Sequence, residues 1–336
     1  MTAVVTGAAG HAGASLIREL AARGEPLRML VRSDRRAVAG VSGETLTADL
    51  FDREALASAF DGADVVFHLA AQVSVDGDRD GSVRRTNVEG TRRVVEAALM
   101  AGVRRLVHFS TVHVYEPFPH DAPLDETRPY VSGGSAYDVS KIESEMVAFD
   151  AMPRGLEVVC VNPTGVIGPW DFKPSRLGKI LWGLYRGTLP AVVQGGFDFV
   201  DARDVARAAV VAATEGQNGE RYIVGGRYRT LRELAGMVRE LSGRRRVSRV
   251  ELPLWLARSF AEPSARVVRR LGRVPSLTDE SLDVLAHGHP GISHRKAREA
   301  LGHRPRPLEE TVRDTLDWFE AQRTPTRAAR GRGRGL

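Results

Sequence analysis

The stretch that most constrains the fold lies at the start of the chain, where residues 4–20 read "VVTGAAGHAGASLIREL". An apolar β-branched run leads into Gly7, Gly10 and Gly13, and a helical pattern follows at once. Glycines at a strand-to-helix turn let the backbone bend tightly and approach a pyrophosphate, whose charge then meets the N-terminus of the helix. The spacing is G-x-x-G-x-x-G, one residue longer in its first gap than the general dinucleotide fingerprint. Its place directly after the first strand favours a dinucleotide site over a bare glycine turn.

The next 140 residues keep that rhythm. Apolar runs "TAVVTG", "LRMLVR", "ETLTAD", "DVVFHLA", "RLVHFST" and "EVVCVN" alternate with helical patterns near 11–23, 53–61, 82–101 and 135–151. Strands alternating with helices make βαβ units, and near-continuous hydrophobic strands make a parallel sheet covered on both faces. The expected fold class is α/β, a Rossmann-type doubly wound parallel sheet over residues 1–162, partly completed by later segments. After Pro163 the rhythm breaks in "NPTGVIGPWDFKPS", dense in Gly and Pro. Helical patterns near 202–214, 230–242, 254–271 and 307–321, with strand-like "ERYIVG" and "SRVEL", predict a smaller, mostly C-terminal α/β substrate lobe over 163–322. The stretch 254–271, "LWLARSFAEPSARVVRRL", is basic and amphipathic and could touch a membrane surface; a packed helix interrupted at Glu262-Pro263 is the preferred reading.

Charge separates the remaining classes. The net charge is +6, but residues 323–336, "RTPTRAARGRGRGL", carry five arginines and no acid, leaving 43 basic against 42 acidic residues elsewhere. The excess belongs to a basic tail without the apolar residues to fold, so no specific nucleic-acid partner is expected. A single cysteine, Cys160, sits in an apolar run and reads as a packing residue. With no leader-like start and no run near the ~20 apolar residues of a spanning helix, the expected location is cytoplasmic, with no transmembrane segment.

The end of the second strand discriminates between cofactors. NAD binders place an acid there for the ribose hydroxyls; this chain places Arg32, nineteen residues after Gly13, with Ser33, Arg35 and Arg36 close by. A guanidinium favours the extra phosphate of NADP(H), which is preferred, with NAD(H) the alternative. Asp49 falls at the end of the third strand, where its carboxylate can meet the adenine amino group or cap the next helix.

One further pattern, "YDVSK" at 137–141, puts Tyr137 and Lys141 four apart on one helix face. Taken with "TGAAGHAG", "ADL" (48–50), "HLAA" (68–71), "TNVEGT" (86–91), "FSTVHVY" (109–115), "NPTGVIGP" (162–169), "FDFVDARDVARA" and "ERYIVGG", the chain resembles the extended short-chain dehydrogenase/reductases, including the NAD-dependent epimerase/dehydratase group. The motifs occur in the family's order over most of the chain. The resemblance implies a Rossmann domain with a substrate lobe, commonly a homodimer. It implies Tyr137 as acid/base, Lys141 on the nicotinamide ribose, Thr111 orienting the substrate oxygen and Asn87 bracing the region. Cofactor contacts are implied at His11, Ala12, Leu50, Leu69, Ala70, Ala71, Pro163 and Thr164 besides the glycines, Arg32 and Asp49. A cation beside a tyrosine, whose ordinary pKa is about 10, makes it useful nearer neutrality.

Nucleotide-sugar members carry an arginine where this chain has Phe197, so a weakly charged, partly apolar small-molecule substrate is expected. The run "NPTGVIGPWDFKPS" looks like the dihydroflavonol-reductase-like branch, which includes hopanoid-associated sugar epimerases. Val112, His113, Trp170, Phe172 and Tyr185 are the candidate substrate residues. The other eight histidines show no ligand spacing, and no metal is expected. The expectation is an NADP(H)-dependent oxidoreductase acting between carbonyl and alcohol. The alternatives are a sugar epimerase or dehydratase with retained NAD and a non-catalytic NADP-binding regulator.

Overall fold

The computed structural model describes residues 1–244, 246–272, 275 and 277–323. Its N-terminal elements are β1 (Ala3–Thr6), α1 (His11–Ala22), β2 (Leu27–Val31), β3 (Glu44–Thr47), α2 (Arg53–Phe60), β4 (Val65–His68), α3 (Ser82–Arg84), α4 (Gly90–Met100), β5 (Arg105–Phe109), α5 (Ala136–Phe149) and β6 (Glu157–Pro163). Beyond Pro163 come β7 (Gly165–Ile167), α6 (Arg176–Arg186), β8 (Val192–Val193), β9 (Gly196–Asp201), α7 (Ala202–Glu215), β10 (Arg221–Val224), β11 (Arg227–Thr230) and α8 (Leu231–Ser242). Then follow β12 (Glu251–Leu252), α9 (Leu254–Arg270), α10 (Asp279–Ala286), α11 (Arg295–Leu301) and α12 (Leu308–Arg323).

The main sheet has seven parallel strands in the order β10-β6-β5-β4-β1-β2-β3. Alternate residues point to opposite faces and so make two cores. Val5, Met29, Phe67, Val107 and Val159 join Leu16, Ile17 and Leu20 of α1 and Val205 and Ala209 of α7 on one side. Val4, Leu30, Val66, Leu106 and Val158 join Phe60 of α2, Val94 of α4 and Ala148 of α5 on the other, with Cys160 buried among them. Each Val, Leu, Ile, Phe or Met among them, fully removed from water, contributes roughly 1.5–3 kcal/mol. The strand order reverses between β1 and β4, which opens a crevice at their C-terminal ends, the usual place for a ligand in such a sheet.

Later segments return to this sheet: β10, expected from "ERYIVG", forms its edge beside β6, and α7 packs on α1. The lobe holds a three-stranded sheet in the order β11-β9-β7 and the pair β12-β8, over a core of Leu181, Leu184, Phe199, Leu234, Val238 and Leu316 among others.

Three local outcomes differ from the sequence pattern. The single helix expected over 82–101 is split by a π-helical turn at Arg85–Glu89. Residues 176–186 form α6, hidden in the pattern by Gly178 and Gly183; a Cβ at Gly178 would lie 2.2 Å from an Asp171 carboxylate oxygen, and one at Gly183 would lie 2.9 Å from Leu189. Pro263 does not interrupt α9, which runs through it. Both Pro263 and Ser259, whose carbonyl loses its donor, are exposed residues, so the missing hydrogen bond falls on the outer side of the helix and not in the core. No helix among the described residues is long and apolar enough to cross a membrane. Of the basic tail only Arg323 falls within the described residues.

Candidate functional site

The glycine turn is built on contacts that exclude side chains. Gly7 has φ +73°, and a Cβ there would stand 2.6 Å from the Ala70 nitrogen and 2.7 Å from the Leu69 carbonyl carbon; a Cβ on Gly13 would stand 2.2 Å from the Gly7 oxygen. The turn is thereby pressed against the Leu69-Ala70-Ala71 segment after β4. α1 begins at Gly10 with no side-chain cap, whereas α2, α5, α6, α7, α8 and α10 are each capped by their own Asp, Ser or Thr. The first-turn N–H groups of α1, His11 and Ala12 included, therefore have no side-chain partner from the cap, the arrangement an anionic ligand uses. His11 Nε2 lies 3.1 Å from the Gly168 carbonyl and 3.2 Å from that of Pro169, which ties α1 to the loop after β7.

After β2 the cations divide. Arg36 is held by Asp34 at 2.6 Å, and that guanidinium brings the Asp34 carboxyl down to about 2. Arg35 donates to Thr47 at 2.8 Å. Arg32 is exposed and makes no hydrogen bond or ion pair among the described residues, so it alone of the three is uncommitted. Asp49 is exposed and accepts from the Phe51 N–H at 3.0 Å; the cap of α2 is Asp52, accepting from Ala55, which corrects the capping role considered for Asp49. Leu50 packs over Gly90.

α5 carries the central row. Ser135 and Asp138 form a reciprocal capping box that fixes its first turn. One turn apart on the same face come Tyr137, Lys141 and Glu145. Lys141 is 3% exposed and donates from Nζ to the Phe109 carbonyl at 2.6 Å. Burial pulls its ammonium down to about 8, against the opposing pull of Glu145. Glu145 is fully buried and accepts from Asn162 Nδ2 at 2.7 Å and the Tyr130 hydroxyl at 2.9 Å, with an Arg221 guanidinium nitrogen 3.9 Å away. Burial and Asp138 push the Tyr137 phenol above its ordinary value, and a hydrogen bond with Thr111 lowers it. Thr111 is buried and follows β5.

Asn87 sits in the π-helical turn and connects three segments. Its Oδ1 accepts from the Gln72 N–H at 2.7 Å, and its Nδ2 donates to the Gln72 carbonyl at 3.0 Å and to Ser140 Oγ at 2.9 Å. Ser140 in turn donates to the Tyr137 carbonyl at 2.7 Å. π turns of this kind concentrate at functional sites because they re-aim side chains. Beneath the row lie two histidines that spacing did not single out. His68 bridges Thr6 at 2.7 Å and Thr91 at 3.0 Å, and burial with the nearby Lys141 charge brings it down to about 3. His108 is likewise held neutral by burial.

At the first turn of α5, where Ala136 and Asp138 on either side of Tyr137 reach its wall, opens a cleft of about 490 Å³ lined also by Val112, His113, Thr164, Phe197, Asp198 and Val284. Thr164 follows Pro163, the last residue of β6, and donates to Asp198 at 2.7 Å; burial raises the Asp198 carboxyl. Of the five candidate substrate residues, Val112 and His113 line this cleft. Trp170 and Phe172 pack instead around Arg18 of α1, with ring centres 4.9 and 5.6 Å from its guanidinium. Tyr185 lies in the lobe core, hydrogen-bonded to Glu320 beneath an Arg244 guanidinium 4.0 Å from its ring. Tyr185→Phe is accordingly expected to change turnover by less than about two-fold while costing about 1 kcal/mol of stability, which steady-state rates and thermal melts check. The far wall, with Glu280, Asp283 and Val284 of α10 and His287, was not foreseen, because no motif marks that segment. No group of three or more potential metal ligands occurs among the described residues.

A family model described as the NAD dependent epimerase/dehydratase family matches residues 3–225. Sterol demethylase protein B of Methylococcus capsulatus is 38% identical over 325 residues, covering 95% of this chain and 98% of that protein. A putative dihydroflavonol 4-reductase of Synechocystis is 32% identical over 325 residues, covering 94% of each. The crystal structure of gox2253 superposes with a TM-score of 0.83 at 33% identity, covering 96% of this chain and 98% of that one.

Proposed function

The chain belongs to the NAD dependent epimerase/dehydratase family and is an oxidoreductase, and we propose that it interconverts a carbonyl and an alcohol on a largely apolar substrate, with NADP(H) preferred over NAD(H). The observation that carries this reading is the Tyr137–Lys141 row on a helix whose first turn lines a cleft with Phe197 in its wall, where nucleotide-sugar enzymes of the resembling family carry a cation. Relatives named for a sterol and for a dihydroflavonol, both fused-ring molecules of low charge, point the same way.

The residues present fit a dinucleotide. The uncapped start of α1, approached closely over Gly7, Gly10 and Gly13, would hold the pyrophosphate, Arg32 the additional phosphate of NADP, and Asp49 the adenine amino group. When bound, the nicotinamide gives or takes the hydride. In the reducing direction Tyr137 donates its phenolic proton to the substrate oxygen as the alcohol forms, while the Thr111 hydroxyl orients that oxygen. The resulting tyrosinate is stabilised by the Lys141 ammonium one turn away. Asn87, through Ser140, braces the backbone of Tyr137 in the first turn of α5.

The state of Lys141 sets a pH dependence. Below about 8 it is charged and supports the tyrosinate; above about 8 it is neutral and the support is lost. Reduction is therefore expected to be flat on the acid side and to fall as pH rises through about 8. Lys141→Arg, charged throughout, should move that fall upward; pH–rate profiles of both proteins decide it. Phe197→Arg should lower kcat/KM for an apolar ketone by about 10-fold, since it replaces an apolar ring on the cleft wall by a hydrated charge. The direct trial of the function is consumption of NADPH and of NADH by the purified protein with a 3-ketosteroid and a dihydroflavonol as probes. A homodimer is part of this reading; Met100 on α4 and Val139 and Met146 on α5 leave apolar surface exposed for a second copy.

A further inference from the structure

One helix carries several large apolar side chains exposed to solvent. Trp255, Phe260, Val267 and Leu271 are 71%, 59%, 58% and 68% exposed, all on or directly after α9. At the helical repeat, Leu256, Phe260, Pro263, Val267 and Leu271 fall within an arc of about 80°, a continuous outward stripe. Trp255, Arg266 and Arg270 follow along one flank. The opposite face is committed: Ala257, Ala261 and Ala265 are buried, the first two against Leu282 of α10.

The charges differ in the same way. Arg258 and Arg269, toward the body, are neutralised by Asp283 at 2.5 Å and Asp76 at 2.6 Å. Arg266 on the outer flank has only Glu262 at 3.4 Å, and Arg270 has no ion pair among the described residues. With Arg258, Arg269 and Arg266 each facing an acid, Arg270 leaves an uncompensated positive charge on the outer flank, in a chain that apart from its last fourteen residues carries 43 basic and 42 acidic residues. A protruding apolar stripe with tryptophan and arginine at its margin matches an anionic bilayer surface: the stripe enters the acyl boundary and the flank meets headgroup phosphates.

We propose that α9 docks this protein on the surface of an anionic membrane, lying in the plane of the interface without crossing it. Its inner face covers α10, and α10 supplies Glu280, Asp283 and Val284 to the wall of the cleft. Docking by α9 thus holds the cleft, which lies behind α10, close to the membrane surface. The docking itself does not depend on the reading of the chemistry, because it is measured without turnover.

The test is co-sedimentation of the full chain with vesicles of phosphatidylcholine containing about one third phosphatidylglycerol, and with vesicles of phosphatidylcholine alone. Wild type is expected to partition about ten-fold more strongly onto the anionic vesicles. Phe260→Ser with Val267→Ser, and separately Arg266→Gln with Arg270→Gln, should each weaken that partition about ten-fold while leaving the melting temperature unchanged, because all four side chains are exposed. Tryptophan emission should shift to the blue on binding, and Trp255→Phe should remove the shift. Absence of partition by wild type overturns the proposal. So does partition that the stripe variant retains in full, which would assign binding to the arginine tail. So does a stripe variant that breaks up an oligomer in vesicle-free light scattering, which would assign the face to a second copy.

Discussion

Replacing Tyr137 by phenylalanine is expected to lower kcat by about 10³-fold while leaving the affinity for NADPH within about two-fold of wild type. The ring stays, so packing in the first turn of α5 is kept, and the Ser135–Asp138 capping box and the Ser140 hydrogen bond to the residue-137 carbonyl do not involve the phenol. What is lost is the hydroxyl that hydrogen-bonds with Thr111 one helical turn from Lys141. Lys141 keeps its bond to the Phe109 carbonyl and Glu145 its bonds to Asn162 and Tyr130, so the buried row beneath remains assembled. Fluorescence titration with NADPH reads the affinity and single-turnover mixing reads the chemical step. Wild-type turnover in this variant removes Tyr137 from the proton transfer.

Arg32→Asp is expected to reduce the ratio of kcat/KM with NADPH to kcat/KM with NADH by about 10²-fold. Arg36 is occupied by Asp34 and Arg35 by Thr47, so neither readily substitutes for the free guanidinium at the end of β2. The new carboxylate both repels a phosphate and accepts from the ribose hydroxyls of NAD. The position is exposed and lacks partners among the described residues, so stability should change by no more than about 0.5 kcal/mol. Steady-state kinetics with each cofactor checks the ratio. An unchanged ratio makes Arg32 a bystander and turns attention to Arg35.

The main sheet was legible because β1, β4, β5 and β6 are short, mostly apolar runs buried almost throughout, a pattern that needs no distant information; the more exposed β3 follows only from the repeated spacing. The glycine turn was legible for a different reason: a Cβ at Gly7 or Gly13 collides with backbone, so the residue type itself reports the close approach. Tyr137 and Lys141 could be placed on one face because helical spacing alone decides that. The lobe resisted because its elements depend on partners far along the chain. β7, β9 and β11 are short strands that pair only with one another, and the glycines of α6 make sense only beside Asp171 and Leu189. Aromatic residues misled for the same reason: Trp170, Phe172 and Tyr185 look like pocket residues until Arg18, Arg244 and Glu320 are seen to claim them. The wall from α10 carries acids and a histidine that any surface helix could carry, and only its docking on the cleft gives them a place.

The central claim is net redox chemistry at the Tyr137 row, as opposed to oxidation and re-reduction of one substrate on retained cofactor. The measurement that tests it most directly is the stoichiometry of NADPH consumed to alcohol formed when the purified, cofactor-stripped protein is mixed with a 3-ketosteroid or a dihydroflavonol. The account predicts one NADPH lost per alcohol produced over many turnovers, abolished in Tyr137→Phe. A protein that arrives with tightly held NAD, consumes no added NADPH and interconverts sugar epimers would contradict it.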